Sequence, residues 1–183
     1  MATAAEYEGA IAALGWEGLR SLWQNIEQGT TDSFWESGKA FEYLVIRAFQ
    51  LDGAAVRYPY SVRLFEDNVE QIDGAVYCNG LSCIVESKDL AQKVKIEPIA
   101  KLRNQLSRRP ASTIGLVFSR EGFTNSARTL VTFSAQPTIL LWNGEEVQYS
   151  LEQERIGEFL TDKYRACVEE GIPDFDFRRG NIP

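Results

Sequence analysis

The 183-residue chain reads as an α/β protein with a mixed central sheet flanked by helices on both faces. Three observations predict this. Two alternating strands, Gln71 to Cys78 and Leu81 to Lys88, flank an Asn79-Gly80 dipeptide. That dipeptide is the strongest short hairpin signal, because a type I′ turn needs positive φ at both central residues. Thr113 to Ser119 is a nearly continuous apolar run of the kind buried in a parallel sheet. Helical periodicities alternate with strands along the chain, and one antiparallel hairpin inside such an alternation gives a mixed sheet covered on each side.

In chain order, Ala4 to Gln28 reads as a helix with Ile11, Leu19, Leu22, Trp23 and Ile26 available for packing. Ser33 with Glu36 has the form of a capping box and opens a second helix to Gln50, which Asp52-Gly53 ends. Val56 to Leu64 alternates as a strand in which Pro59 marks an edge or a bulge, and Asn68 interrupts the chain before the hairpin. After the hairpin, Pro98 belongs to the first turn of a helix running to about Arg108. Thr124-Asn125-Ser126 caps a short helix through Leu130, and Thr138 to Trp142 forms a further strand. A Ser150-Leu151-Glu152-Gln153 capping box opens a last helix to Glu169, stopped by Gly171 and Pro173 and followed by an extended tail, Asp174 to Pro183. There is no internal repeat or linker, so one domain is expected, with a helical extension over 1–32, a core over 33–142 and a C-terminal helix and tail over 143–183.

The hairpin carries the chemistry. Counting back from a two-residue turn, Cys78 faces Leu81, Val76 faces Cys83, Gly74 faces Val85, Asp73 faces Glu86 and Gln71 faces Lys88. Residues two apart share a face, so Asp73, Glu86 and Lys88 point the same way, with Ala75, Tyr77 and Ile84; Ile72, Val76, Cys83 and Val85 take the other. Two carboxylates directly across a strand pair repel, and something positive is expected between them. A divalent cation, the Lys88 ammonium or a shared proton would each serve. Oxygen ligands suit a hard ion such as Mg²⁺ or Mn²⁺, and a lysine beside such an ion can orient or deprotonate water and offset charge at a phosphorane-like transition state. The competing reading is a surface carboxylate pair held by a lysine. Both strands carry apolar residues on each face, which makes three ionisable groups costly unless they are paired or functional.

Asp73, followed one hairpin later by Glu86-Ser87-Lys88, resembles the core of the PD-(D/E)XK nuclease superfamily. The surrounding order is similar to its Mrr-like restriction endonuclease branch: a helix bearing Gly38-Lys39-Ala40-Phe41-Glu42 before the hairpin, then Gly115-Leu116-Val117-Phe118-Ser119 and Gly122-Phe123-Thr124 after it. The resemblance covers roughly Ser33 to Trp142. It implies a restriction-endonuclease-like fold and a metal-dependent phosphodiesterase acting on nucleic acid, DNA above all. Asp73, Glu86, Lys88 and Glu42 would be catalytic, and Asp73, Glu86, Glu42 and the Ser87 carbonyl would hold Mg²⁺ or Mn²⁺. The dipeptide before Asp73 is Gln71-Ile72 rather than the proline of the superfamily name, and many Mrr-like proteins carry glutamine where this chain has Glu86; neither departure removes a ligand. Glu42 could instead be a solvated flank residue of its helix, or pair with Lys39 one turn earlier.

The chain contains no histidine, which excludes Ser-His-Asp and Cys-His catalysis, His-containing zinc sites and His-metal nucleases. Cys78, Cys83 and Cys167 have no zinc spacing and read as reduced thiols. With no leader pattern at the N-terminus and no membrane-length apolar run, they point to a cytoplasmic protein. The net charge of −7 argues against a nucleic-acid partner only globally. From Ser87 to Arg120 eight basic residues face two acidic ones, so that segment carries +6 and the rest −13. Lys93, Lys101, Arg103, Gln105 and Arg120 are the candidate nucleic-acid contacts. Trp35, Tyr43 and Tyr77 could stack on bases, though core packing suits each of them better. A homodimer is expected if both strands of a duplex are cut. The alternatives are a silent nuclease-like module that grips DNA, or a protein-interaction subunit of a defence or mobile-element system.

Overall fold

A computed structural model describes residues 2–133 and 138–179. Strands β1 (Ala55–Arg57), β2 (Tyr60–Leu64), β3 (Asp67–Ile72), β4 (Gly74–Cys78), β5 (Leu81–Lys88), β6 (Thr113–Ser119) and β7 (Ile139–Asn143) form two sheets. The larger has the order β1-β4-β5-β6-β7, antiparallel from β1 to β5 and parallel from β5 to β7; β2 and β3 pair in a separate antiparallel ribbon. Helices α1 (Ala4–Ala12), α2 (Trp16–Gln28), α3 (Lys39–Leu51), α6 (Gly144–Gln153) and α7 (Ile156–Glu170) cover one face, and α4 (Ile96–Leu106) and α5 (Asn125–Thr132) the other. Alternation along β6 feeds both cores: Ile114, Leu116 and Phe118 pack under α3, while Val117 packs under α4. Gly115 lets α4 come close, since a Cβ there would stand 2.8 Å from a Leu102 methyl. This is the expected mixed sheet with helices on both faces.

The Asn79-Gly80 turn sets the hairpin as its sequence requires. Asn79 (φ 50°) and Gly80 (φ 79°) both lie in the left-handed region, and Cys78 pairs Leu81, Val76 pairs Cys83 and Gly74 pairs Val85. The Asn79 amide also donates to the Gly157 carbonyl (3.1 Å) and the Thr161 hydroxyl (3.0 Å), docking the turn on α7.

Pairing stops at Gly74, and the chain bends at Asp73. The expected strand from Gln71 to Cys78 is therefore two strands in two sheets, and Gln71 pairs Ser61 rather than Lys88. The bend depends on a close approach: a Cβ on Gly74 would lie 2.3 Å from Ile46 Cδ1 and 3.1 Å from the Arg57 carbonyl. It also turns Ile72 into the α4-side core, away from Val76. Tyr77, expected in the core, is 55% exposed. The strand expected from Val56 to Leu64 divides at Pro59, which cannot donate to a ladder, into edge strand β1 and ribbon strand β2. Asn68 lies inside β3, and the reversal falls on Phe65 (φ 56°) instead.

Helix boundaries differ from expectation where the chain itself offers better caps. The single helix expected over Ala4 to Gln28 breaks between Ala12 and Trp16, where the Arg47 guanidinium takes up the carbonyls of Ala12 (2.9 Å) and Leu14 (3.1 Å). The second helix opens at Lys39, not Ser33, because Gly38 (φ 81°) turns the chain immediately before it; the Ser33 hydroxyl donates to Asp32 and forms no cap. At the C-terminal end the operative capping box is Asn143 with Glu146. Ser150 sits buried mid-helix, donating to the Glu146 carbonyl (2.8 Å), and Glu154 (φ 58°) separates α6 from α7. The tail is not extended: Phe177–Arg179 forms a 3-10 turn with Phe177 stacked on Phe159 at 4.5 Å. Residues 180–183 of the expected tail lie outside the described residues. Behind this turn the buried Lys163 ammonium meets Glu146 (2.7 Å) and donates to the Phe175 carbonyl. Among the described residues all three cysteines are free, and burial pushes the Cys83 thiol up to about 12. No described helix is long and apolar enough to cross a membrane.

Candidate active site

Three elements meet at the carboxyl end of β5. Asp73 occupies the bend between β3 and β4 and is 5% exposed; its Oδ2 accepts from the Ser87 backbone N–H (2.8 Å) and the Ser87 hydroxyl (3.3 Å). Glu86 has no exposed surface. Its Oε1 lies 2.6 Å from Lys88 Nζ, and both its oxygens contact Lys101 Nζ, at 3.1 and 2.9 Å. The Lys88 ammonium also donates to the Ser87 carbonyl (3.2 Å), so that carbonyl is turned toward the same group. Glu42, in the first turn of α3, is ion-paired to Lys39 (2.5 Å) and close enough to Asp73 and Lys88 for each to affect its ionisation.

The electrostatics follow from burial. Asp73 is pushed above the usual aspartate range, first by desolvation and then by the Glu86 charge, against the Ser87 N–H and the Lys88 and Lys101 cations. Glu42 is raised for the same reasons, burial first and then Asp73, partly offset by Lys39 and Lys88. Burial alone would lower Lys88, but Glu86, Asp73 and Glu42 together outweigh it and hold the ammonium above the ordinary lysine value. The site thus concentrates negative charge that Lys39, Lys88, Lys101 and the Ser87 N–H offset.

Among the described residues no three acidic or thiol side chains stand as a ready-made metal cage. Each carboxylate is drawn toward its own partner: Asp73 to the Ser87 N–H, Glu86 to two lysines and Glu42 to Lys39. The donor set is nevertheless all oxygen, two buried carboxylates and a backbone carbonyl, and a hard dication suits oxygen donors and relieves the crowding of like charges. The residues present fit Mg²⁺ or Mn²⁺.

The expected nucleic-acid contacts divide. Lys101 belongs to the acidic site, on Glu86. Gln105 is a correction: it is buried, and its amide donates to the Gln71 carbonyl (3.0 Å), tying α4 to β3 rather than facing a substrate. Arg120 pairs with Asp89 (2.7 Å) and Glu121 (3.3 Å), and with Lys93 and Arg128 it lines a cleft of about 410 Å³ beyond the ends of β6 and β7. Arg108 and Arg109 are both drawn to Glu70. Lys93, Lys95 and Arg103 make no ion pair among the described residues. The role of Lys101 had one sequence signal. Glu97, Lys101 and Gln105 recur every fourth residue beside the Ile99, Leu102 and Leu106 stripe, which sets a polar edge along α4.

The restriction endonuclease family represented by the Mrr catalytic domain matches residues 36–151, well over half of the chain. Among solved structures the chain is similar to the crystal structure of a protein of unknown function, AF1548, at 14% identity and TM-score 0.50, covering 72% of this chain and 77% of that one. It also matches the MspJI restriction endonuclease in complex with a 27-mer oligonucleotide, at 18% identity and TM-score 0.45, covering 93% of this chain but 37% of that one. No curated protein matches. The likeness to AF1548 is one of fold, and the family match spans α3, the bend, the β4–β5 hairpin and β6. With the restriction-endonuclease-like fold in place, the chain belongs to the Mrr-type restriction endonuclease family.

Proposed function

We propose that the protein is a Mg²⁺- or Mn²⁺-dependent endonuclease that hydrolyses phosphodiester bonds of DNA. The observation that carries this is Glu86, a carboxylate without exposed surface, set beside buried Asp73 and gripped by Lys88 and Lys101. A fold can hold one buried carboxylate on a lysine, as Glu146 is held by Lys163, but two carboxylates pressed together are costly unless a cation joins them. Asp73, Glu86 and the Ser87 carbonyl would hold the metal, with Glu42 as a further ligand, direct or through water. When bound, a hard dication supplies Lewis-acid polarisation of the phosphate and a lowered pKa for water. Lys88, kept cationic by its three acidic neighbours, orients the attacking water and offsets charge building on the phosphate oxygens. Lys101 occupies the Glu86 oxygens and would yield them to the metal. The bend at Asp73 and the Ser87 N–H fix the Asp73 head.

Lys93, Arg103 and Arg120 would follow the DNA backbone, and two copies of the chain would cut the two strands. Since α1 and α2 pack on α3, which carries Glu42, the N-terminal helices belong to the same working unit. Plasmid nicking tests the reading. Wild-type protein is expected to cut with Mg²⁺ or Mn²⁺ and not with a chelator, and Lys88→Ala and Asp73→Ala are expected to be inactive while keeping the fold. Binding without any cutting would support the silent module, and neither would support the protein-interaction subunit.

A further inference from the structure

A second concavity borders the site on the α3 side and has no part in the chemistry above. Its volume is about 550 Å³, and Tyr7, Lys39, Tyr43, Tyr60, Arg63 and Gln71 line it. Lys39 is the ion-pair partner of Glu42, and Gln71 lies two residues before Asp73, so the concavity and the acidic site share a wall. Its size is within the range of small-molecule sites, about 300–1,000 Å³.

Three features describe what would fill it. The walls are aromatic and held stiffly from behind: Tyr7 stacks on Trp35 (5.3 Å) and Tyr43 on Tyr58 (5.5 Å), while Arg57 lies 3.7 Å over the Tyr60 ring. Tyr43 lines the concavity, and its hydroxyl makes no hydrogen bond among the described residues, which leaves it open to a ligand. Of the two cations on the rim, Lys39 is held by Glu42, while Arg63 makes no ion pair among the described residues and is open to a phosphate. A flat ring with hydrogen-bonding edges, attached to phosphate and next to a phosphodiester-cutting site, satisfies all three.

The geometry points to this pocket as the seat of one unpaired nucleobase of the substrate, with Tyr60 as the stacking surface and the Tyr43 hydroxyl bonded to the base edge. This rests on the nuclease reading and narrows it. A base inside a duplex is stacked and paired and cannot enter without being extruded, so the favoured substrate has single-stranded character at the cut, such as a flap, a bubble or a free strand. The pocket would then place the scissile phosphate by holding the neighbouring base.

The test measures binding, without metal, in a Lys88→Ala background that leaves DNA intact. The probes are one short single strand carrying the fluorescent base 2-aminopurine and the same strand in a blunt duplex. The single strand is expected to bind more tightly, with its fluorescence quenched by stacking. Tyr60→Ala and Tyr43→Phe are each expected to lower the ratio of single-strand to duplex affinity, Tyr60→Ala by roughly tenfold. Tyr43→Phe removes a hydroxyl with no partner and keeps the fold, so it decides the matter should Tyr60→Ala melt. An unchanged ratio in Tyr43→Phe and in any folded Tyr60→Ala overturns the proposal. If wild-type protein still cuts DNA, the pocket assignment alone has failed. If wild-type cuts nothing while the ratio still responds to both substitutions, the pocket stands and the nuclease reading has failed.

Discussion

Replacing Lys101 with methionine separates two roles that its position allows, partner of Glu86 and contact for DNA. The Lys101 ammonium lies 2.9 Å from Glu86 Oε2, a gross attraction of about 6 kcal/mol at an effective dielectric constant of about 20 and about 1.4 kcal/mol in water. Its side chain is 47% exposed, so solvent screens much of that, and Lys88 remains on Glu86 after the substitution. A net contribution of about 1–2 kcal/mol follows. Lys101→Met is therefore expected to lower metal-free stability by about that amount in urea unfolding with a chelator present. The same change is expected to raise affinity for Mn²⁺ about 5- to 30-fold by calorimetric titration, because the ammonium no longer competes for the carboxylate. The two effects have opposite signs, which a general loss of structure would not produce. Unchanged or weaker Mn²⁺ binding, with the salt dependence of duplex binding reduced by about one phosphate contact, would refute this reasoning and return Lys101 to the DNA-binding surface.

Three further outcomes are expected. Asp73 titrates above its ordinary value of 3.8 in the folded chain, so its ionised form destabilises the metal-free fold at neutral pH, and that penalty fades as pH falls through the folded pKa toward 3.8. Asp73→Asn should thus stabilise the metal-free protein at neutral pH, with an advantage that shrinks on acidification; a constant difference in denaturant midpoint across that window would contradict it. Lys163→Met leaves Glu146 buried and unpaired, and urea unfolding should show a loss of about 3–5 kcal/mol, much of it restored by adding Glu146→Gln. Gly74→Ala forces Ile46 and the β4 backbone apart next to Asp73 and should cost about 1–3 kcal/mol in thermal unfolding, with a larger proportional loss of cleavage than of stability.

The hairpin was legible because Asn79-Gly80 admits one turn type, and a two-residue turn leaves one register. The same count overran at Asp73, because the sequence does not announce that Ile46 and the Arg57 carbonyl press on Gly74 and bend the chain there. Helix ends were misplaced where a local pattern imitated a cap. Ser33-x-x-Glu36 and Ser150-x-x-Gln153 have the right letters, but the N-cap positions fall to Gly38, which turns the chain without a side-chain bond, and to Asn143, whose side chain accepts from the Glu146 N–H. Asp73, Glu86, Lys88 and Glu42 could be singled out from strand register and family pattern. The spacing of Lys101 marks a polar edge of α4, but its contact with Glu86, the burial of Gln105 and the Glu146–Lys163 pair depend on how α4, α6 and α7 settle against the sheet, which periodicity alone does not fix.

The most direct measurement is the single-turnover rate of DNA cleavage by wild-type protein and by Lys88→Ala, with Mg²⁺ saturating and thermal unfolding recorded for both. The account expects metal-dependent cutting by the wild type and a rate at least about 100-fold lower for Lys88→Ala that still unfolds in one cooperative transition above the assay temperature, the scale seen when one preorganised charge is removed from a transition state. Equal rates, or cleavage that persists in a chelator, would contradict it.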